Sequence, residues 1–187
     1  MVKSSLPKNQ YWIRKRPIMS VGSFKNYWEN PWSIEIDGLV EKNLELSYDD
    51  ILKMPQSKVE YDLHCVDGWS VPDMKFDGIL VYDFLNSINA KGALYLWIES
   101  IDGYTSGVDI EELLDEKAIF ALKIDSQKLT AGDGAPMRLI TPKHFAYKGA
   151  KWIKKITLTN QFKKGFWEQR GYHTRARVFE DERFAND

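Results

Sequence analysis

A single cysteine occurs in this chain of 187 residues, inside the run Tyr61-Asp62-Leu63-His64-Cys65-Val66-Asp67-Gly68-Trp69-Ser70, which also holds one of only three histidines. Val59 to Cys65 reads as a short strand, with Val59, Tyr61, Leu63 and Cys65 on one face and Glu60, Asp62 and His64 on the other. Cys65 then stands where a strand runs out into a glycine-containing loop, a position that presents a side chain to a cleft. A lone cysteine forms no internal disulfide. It is either a small buried hydrophobe or a reactive or ligating thiol, and spacing alone leaves both open.

Two common thiol chemistries are poorly served. A cysteine protease needs a histidine base beside the nucleophile, and His64 points to the opposite strand face; His144 and His173 need the fold to bring them near. Zinc takes three or four Cys or His ligands at short spacings, and the chain has no CxxC, HxxxH or HExxH. A metal on Cys65 must draw its other ligands from elsewhere, such as a cofactor that carries its own sulfur atoms. Gly132-Asp133-Gly134-Ala135-Pro136 is neither a Walker A loop nor a dinucleotide fingerprint. A tight glycine turn followed by Arg138 nonetheless offers backbone N–H groups and a guanidinium to a phosphate. Gly149-Ala150-Lys151 is a second element of that kind. Taken singly, each is an ordinary turn with a surface cation.

The elements that position these residues read as strands and short helices without a regular βαβ alternation, which implies a single mixed α+β domain. Residues 1–30 read as an arm laid over the domain, anchored by Tyr11, Trp12, Ile13, Phe24, Tyr27 and Trp28; residues 31–187 form the domain proper. Strands are expected at 31–36, 44–46, 93–98, 118–124, 137–140 and 152–158. Ser47 caps a short helix over 48–53, Asp77 a helix over 78–88, and a third helix covers 109–114.

Net charge is −1, yet eleven of the 26 basic residues and only one of the 27 acids, Glu168, fall between Arg138 and Arg177. That segment is either a solvated basic face or a docking surface for an anion. One cysteine fits a reducing compartment. No apolar run suggests a signal peptide or reaches the roughly 18–20 residues of a membrane span. The cytoplasm is therefore the expected location, with no membrane span.

The pieces together resemble a family. His64-Cys65-Val66-x-Gly68-Trp69-Ser70 is similar to the motif of the sulfite oxidase-like molybdopterin-binding domain. Asp102-Gly103-Tyr104-Thr105, the block Gly134 to Pro142 with Lys148 to Ile153, and Gly165-Phe166-Trp167-Glu168-x-Arg170-Gly171-Tyr172-His173 are similar to further family segments in the same order. The resemblance spans residues 32–173. It implies a molybdenum-molybdopterin oxidoreductase that transfers an oxygen atom in a two-electron reaction, on a small S- or N-oxide or a sulfite-like substrate. Sulfoxide-type reduction is favoured by the compact, haem-free form. The dithiolene cofactor supplies sulfur ligands of its own, so one protein thiolate, Cys65, suffices for the metal.

By position the resemblance assigns cofactor contacts to His64, Ser100, Asp133, Arg138, Gly149, Ala150 and Lys151, with Asp133 accepting from pterin N–H groups, and a substrate-side role to Tyr104 beside the catalytic Cys65. Ser100 and Asp133 stand where the methionine-sulfoxide-reductase branch has threonine and asparagine. Lys15 to Gly22 is loosely similar to family N-termini and suggests Arg16 as a further contact. No haem domain is fused, so electrons pass to or from a separate protein. The competing reading is a non-catalytic domain that binds nucleic acid or another polyanion through residues 138–177. The acidic remainder opposes it, and few tryptophans interleave with the basic residues to make a stacking platform.

Overall fold

Alternating apolar residues build two sheets that share one core. The computed structural model describes residues 5–22 and 31–186; Phe24, Tyr27 and Trp28, expected to anchor the arm, lie outside them. The first sheet contains β1 (Tyr11–Trp12), β4 (Ser57–His64), β5 (Trp69–Leu80), β8 (Ile119–Ile124), β9 (Gln127–Lys128) and β10 (Arg138–Ile140). The second has the order β3 (Leu44–Ser47), β2 (Ser33–Gly38), β11 (Ile153–Thr159), β6 (Tyr95–Ser100) and β7 (Thr105–Asp109). Three short helices, α1 (Tyr48–Lys53), α2 (Val81–Ser87) and α3 (Ile110–Asp115), cap the strands. The result is the expected mixed α+β domain. Among the described residues no helix is long and apolar enough to cross a membrane.

The strand β8 shows how the sheets are joined. Its residues Phe120 and Leu122 enter the main core with Ile34, Ile36, Leu96, Ile98 and Ile156 of the second sheet. Ile119 and Ala121 point the other way, into a smaller cluster with Leu63, Cys65, Trp69, Val71 and Phe76. A strand buried on both faces needs a continuous apolar run, and Ala118 to Leu122 supplies one. The same alternation on β10 sends Leu139 into the main core and leaves Arg138 and Ile140 on the Cys65 side.

Several expected elements hold and two change. Ser47 caps α1 with a reciprocal capping box through Asp50, and Asp109 accepts from the Glu112 N–H at the start of α3. The helix expected to start after Asp77 begins later: β5 continues to Leu80, and α2 covers only Val81–Ser87. Gly78 lies at a register shift against β8, where an added Cβ would sit 2.1 Å from the Phe120 carbonyl oxygen. That glycine serves close strand approach at a bulge, not a helix start. The N-terminal segment also differs. Tyr11 and Trp12 are exposed (58% and 40%), so their side chains do not anchor it. Its hold here comes from parallel pairing of β1 with Trp69 and Ser70 and from Ile13, which packs against the Cys65 cluster as expected.

Candidate active site

One cleft, of about 210 Å³, gathers the chemistry-bearing residues. Cys65 lies at the end of β4, Tyr104 on the β6–β7 turn, Arg138 on β10, and Gly149 and Lys151 on the loop before β11. Arg16, Pro17, Met19, Ser20 and Val21 of the N-terminal segment close one side, and Trp69, Tyr147, Trp152, Trp167 and Tyr172 make aromatic walls.

The Cys65 turn is tightly made. Cys65 N–H donates to the Trp69 carbonyl (2.9 Å), and Gly68 N–H donates to the Cys65 carbonyl (3.0 Å). Gly68 takes φ +99°, which a residue with a Cβ rarely adopts. Cys65 is only 8% exposed. Burial pushes its thiol up to about 12, against a hydrogen bond from the Asp67 backbone that favours the thiolate. Near neutral pH the sulfur therefore keeps its proton until a cation displaces it.

The cleft also carries three cations, Arg16, Arg138 and Lys151. Arg138 is 3% exposed, and its Nη1 donates to the Asp133 carbonyl (3.0 Å) while its buried Nε has no partner among the described residues. Lys151 Nζ donates to the Met19 carbonyl (2.6 Å) and the Gly132 carbonyl (2.8 Å). Burial, then repulsion from Arg138 and Arg16, brings its pKa down to about 7. Asp133 is used internally: one carboxylate oxygen accepts from Arg16, the other from the Thr130 N–H (3.0 Å) and hydroxyl (2.6 Å). Burial works against its charge, but these donors outweigh it and hold the carboxyl below its ordinary range. Asp133 thus orients Arg16, and both its oxygens are occupied without any pterin N–H.

Four residues assigned by resemblance do not line the cleft. These are His64, Ser100, Asp133 and Ala150. His64 is 3% exposed, packed near Trp12 and Phe179, with Nδ1 on Ser70. Ser100 is fully buried and its hydroxyl has no partner among the described residues. Ala150 is fully buried, and its carbonyl accepts from Leu139 N–H. Tyr104 does line the cleft, but its hydroxyl donates to the Tyr147 carbonyl, and burial raises its pKa well above the ordinary value. Met19, Tyr147, Trp167 and Tyr172 were not singled out as cleft residues by sequence reasoning. Trp167 and Tyr172 stand inside a recognised block and Met19 in the 15–22 segment loosely similar to family N-termini; Tyr147 carried no signal.

The segment 138–177 does not present one basic face. Lys148 is buried against Glu168, while Lys143, Lys155, Arg175 and Arg177 pair with Asp115, Asp37, Glu182 and Glu112. Five of its eleven cations are thus paired with carboxylates, which weakens the support for a polyanion-binding surface.

Residues 21–167 match the model of the oxidoreductase molybdopterin binding domain. The chain belongs to that family. It is 30% identical over 184 residues to YuiH, an oxidoreductase of Bacillus subtilis, covering 97% of this chain and 93% of that one. It is 28% identical over 173 residues to MsrP, the catalytic subunit of the protein-methionine-sulfoxide reductase of Campylobacter jejuni, covering 82% of this chain. The chain spans 57% of that relative's length. Among solved structures, the sulfane dehydrogenase SoxCD of Paracoccus pantotrophus superposes with a TM-score of 0.65 at 19% identity, over 77% of this chain and 41% of that one, a likeness of fold.

The protein is thus a molybdopterin-binding oxidoreductase, and its residues fit the group. A phosphorylated cofactor needs an anion site, and the unpartnered Nε of Arg138 beside Arg16 and Lys151 supplies one. Cys65, a soft donor able to ligate its metal, lines the same cleft. No cluster of three or more His, Cys, Asp or Glu side chains able to hold a metal ion by themselves occurs among the described residues.

Proposed function

We propose that Cys65 is the protein ligand to molybdenum and that the enzyme removes oxygen from a small sulfoxide or related S- or N-oxide. The observation that carries this reading is the shared cleft: a buried thiol on one side, three cations on another, aromatic walls between. The cofactor, when bound, supplies two-electron oxygen-atom transfer. Arg138, Lys151 and Arg16 hold its phosphate, and glycine is needed at 149 because an added Cβ would sit 2.6 Å from the Leu139 carbonyl oxygen at that end. Trp167, Tyr172 and Tyr104 exclude water and offer aromatic surface to an apolar sulfur substrate. Overall, sulfoxide, two electrons and two protons give thioether and water. The electrons come from a separate protein, a reading supported by relatives named as subunits. The single unpaired cysteine supports a cytoplasmic setting.

Metal analysis of protein made in a cofactor-competent host is the deciding measurement. Molybdenum near one per chain is expected, and folded protein far below that ratio sinks the reading. Cys65→Ser is expected to keep the fold and lose turnover; wild-type activity in that variant removes Cys65 from the chemistry.

A further inference from the structure

A relay of three buried hydrogen bonds runs from His64 to the backbone of Cys65, and none of its side chains lines the cleft. Gln10 Nε2 donates to the Cys65 carbonyl (3.1 Å), which turns Gln10 Oε1 towards Ser70. Ser70 Oγ donates to that oxygen (2.9 Å). Having given its only proton, Ser70 Oγ accepts from His64 Nδ1 (2.8 Å), so the imidazole carries its proton on Nδ1. Gln10, His64 and Ser70 are 8%, 3% and 0% exposed. Parallel pairing delivers Gln10 to this place: Tyr11 N–H donates to the Gly68 carbonyl and Ile13 N–H to the Ser70 carbonyl, each at 2.8 Å. The Cys65 carbonyl is thereby held twice, by Gly68 N–H from within the turn and by Gln10 from the N-terminal segment.

We propose that Gln10, Ser70 and His64 are positioning residues that set the direction in which Cys65 presents its sulfur, with His64 acting as an Nδ1–H donor instead of touching the cofactor. This rests on Cys65 being the metal ligand. Bonding between a thiolate and a metal depends on the direction of the sulfur lone pairs, and outer hydrogen bonds orient ligands in this way. Gln10 lies outside the 21–167 span that matches the family model, so the family match does not include this determinant.

The test uses cofactor-free protein first. Iodoacetamide alkylation of Cys65 is followed by mass spectrometry in wild type, Gln10→Leu, His64→Asn and His64→Gln. The asparagine amide N–H stands in for Nδ1 and the glutamine amide for Nε2. Gln10→Leu and His64→Gln are expected to react about tenfold faster, the factor for one net hydrogen bond lost from the closed turn. His64→Asn is expected to stay at the wild-type rate. In the loaded enzyme the first two variants shift the thiolate-to-metal charge-transfer band, and His64→Asn does not. Wild-type alkylation in folded Gln10→Leu, or identical behaviour of His64→Asn and His64→Gln, overturns the relay. Faster alkylation with an unmoved band overturns its role towards the metal. If Gln10→Leu melts far below wild type, Gln10→Glu carries the same test, since it keeps the acceptor for Ser70 and loses the donor to Cys65. A Cys65→Ser protein that binds molybdenum with an unchanged band instead sinks the ligand assignment, leaving the alkylation result standing.

Discussion

Lys151 sits where burial and two guanidinium neighbours disfavour its own charge, so its protonation and the binding of an anion are linked. With its pKa brought down to about 7, the charged form dominates only below that pH. Sulfate, which does not titrate in this range, is expected to bind the cofactor-free protein more weakly as the pH rises through 7, by up to about tenfold per unit above it. Lys151→Met is expected to bind weakly at every pH and to show a flat profile between pH 6 and 8; calorimetric titration checks both. A flat wild-type profile would take Lys151 out of the anion site. The same scale shows what Asp133 does within the chain. The resemblance assigns it a cofactor contact, and the structure pairs its carboxylate with Arg16 on a distant segment. No local pattern announces a partner 117 positions away.

Among the elements, α3 and the loop before the 3-10 turn at 146–148 are joined by a buried histidine. His144 Nε2 meets Glu112 (2.6 Å) and Nδ1 meets Glu116 (3.0 Å), and Glu112 also accepts from Arg177 (2.7 Å). Burial opposes the charge on His144, but the two carboxylates outweigh it and raise its pKa above 6.5. Its contribution to stability is full below 6.5 and fades as the pH climbs through the raised value. The hydrogen bond from His144, helped by Arg177, brings Glu112 down to about 2, so its contribution is present above 4.5 and fades as the pH falls towards 2. His144→Gln is expected to cost about 3 kcal/mol near pH 6 and less at pH 9, read from denaturant melts across that range. A loss independent of pH would refute a charged His144.

Lys148 and Glu168 tie the C-terminal signature to β7 in a different way. Lys148 Nζ donates to Glu168 and to the carbonyls of Gly107 (2.6 Å) and Thr174 (2.7 Å), with both side chains at most 2% exposed. Glu168→Gln leaves a buried ammonium unpaired and is expected to cost about 3–5 kcal/mol. Lys148→Met with Glu168→Met is expected to cost less than the sum of the single changes. Additive losses in thermal melts would deny the coupling.

On the scale of the whole molecule, both chain ends close over the Cys65 turn. Arg183 donates to the carbonyls of Val66 and Asn9 (the latter at 3.1 Å), and Asn9 in turn donates to Asp181 (2.6 Å). Arg183→Met is expected to lower molybdenum content per chain while leaving the circular dichroism spectrum unchanged; full occupancy would show that the C-terminal clasp is dispensable. The amino-acid sequence by itself determined the α+β class, the helix cap at Ser47, the strand that leads into Cys65, and the family, because these depend on local periodicity, local capping and ordered motifs. It left the first part of β5 unassigned and placed Gly78 in a helix, because the strand pairing of Gly78 is made with Ala121, far away in the chain. Only the tertiary structure decided that His64 faces Ser70, that Asp133 pairs with Arg16, and that five of the eleven cations of 138–177 pair with carboxylates. Those outcomes depend on which distant groups reach a buried polar atom first, and burial makes each such choice energetically decisive.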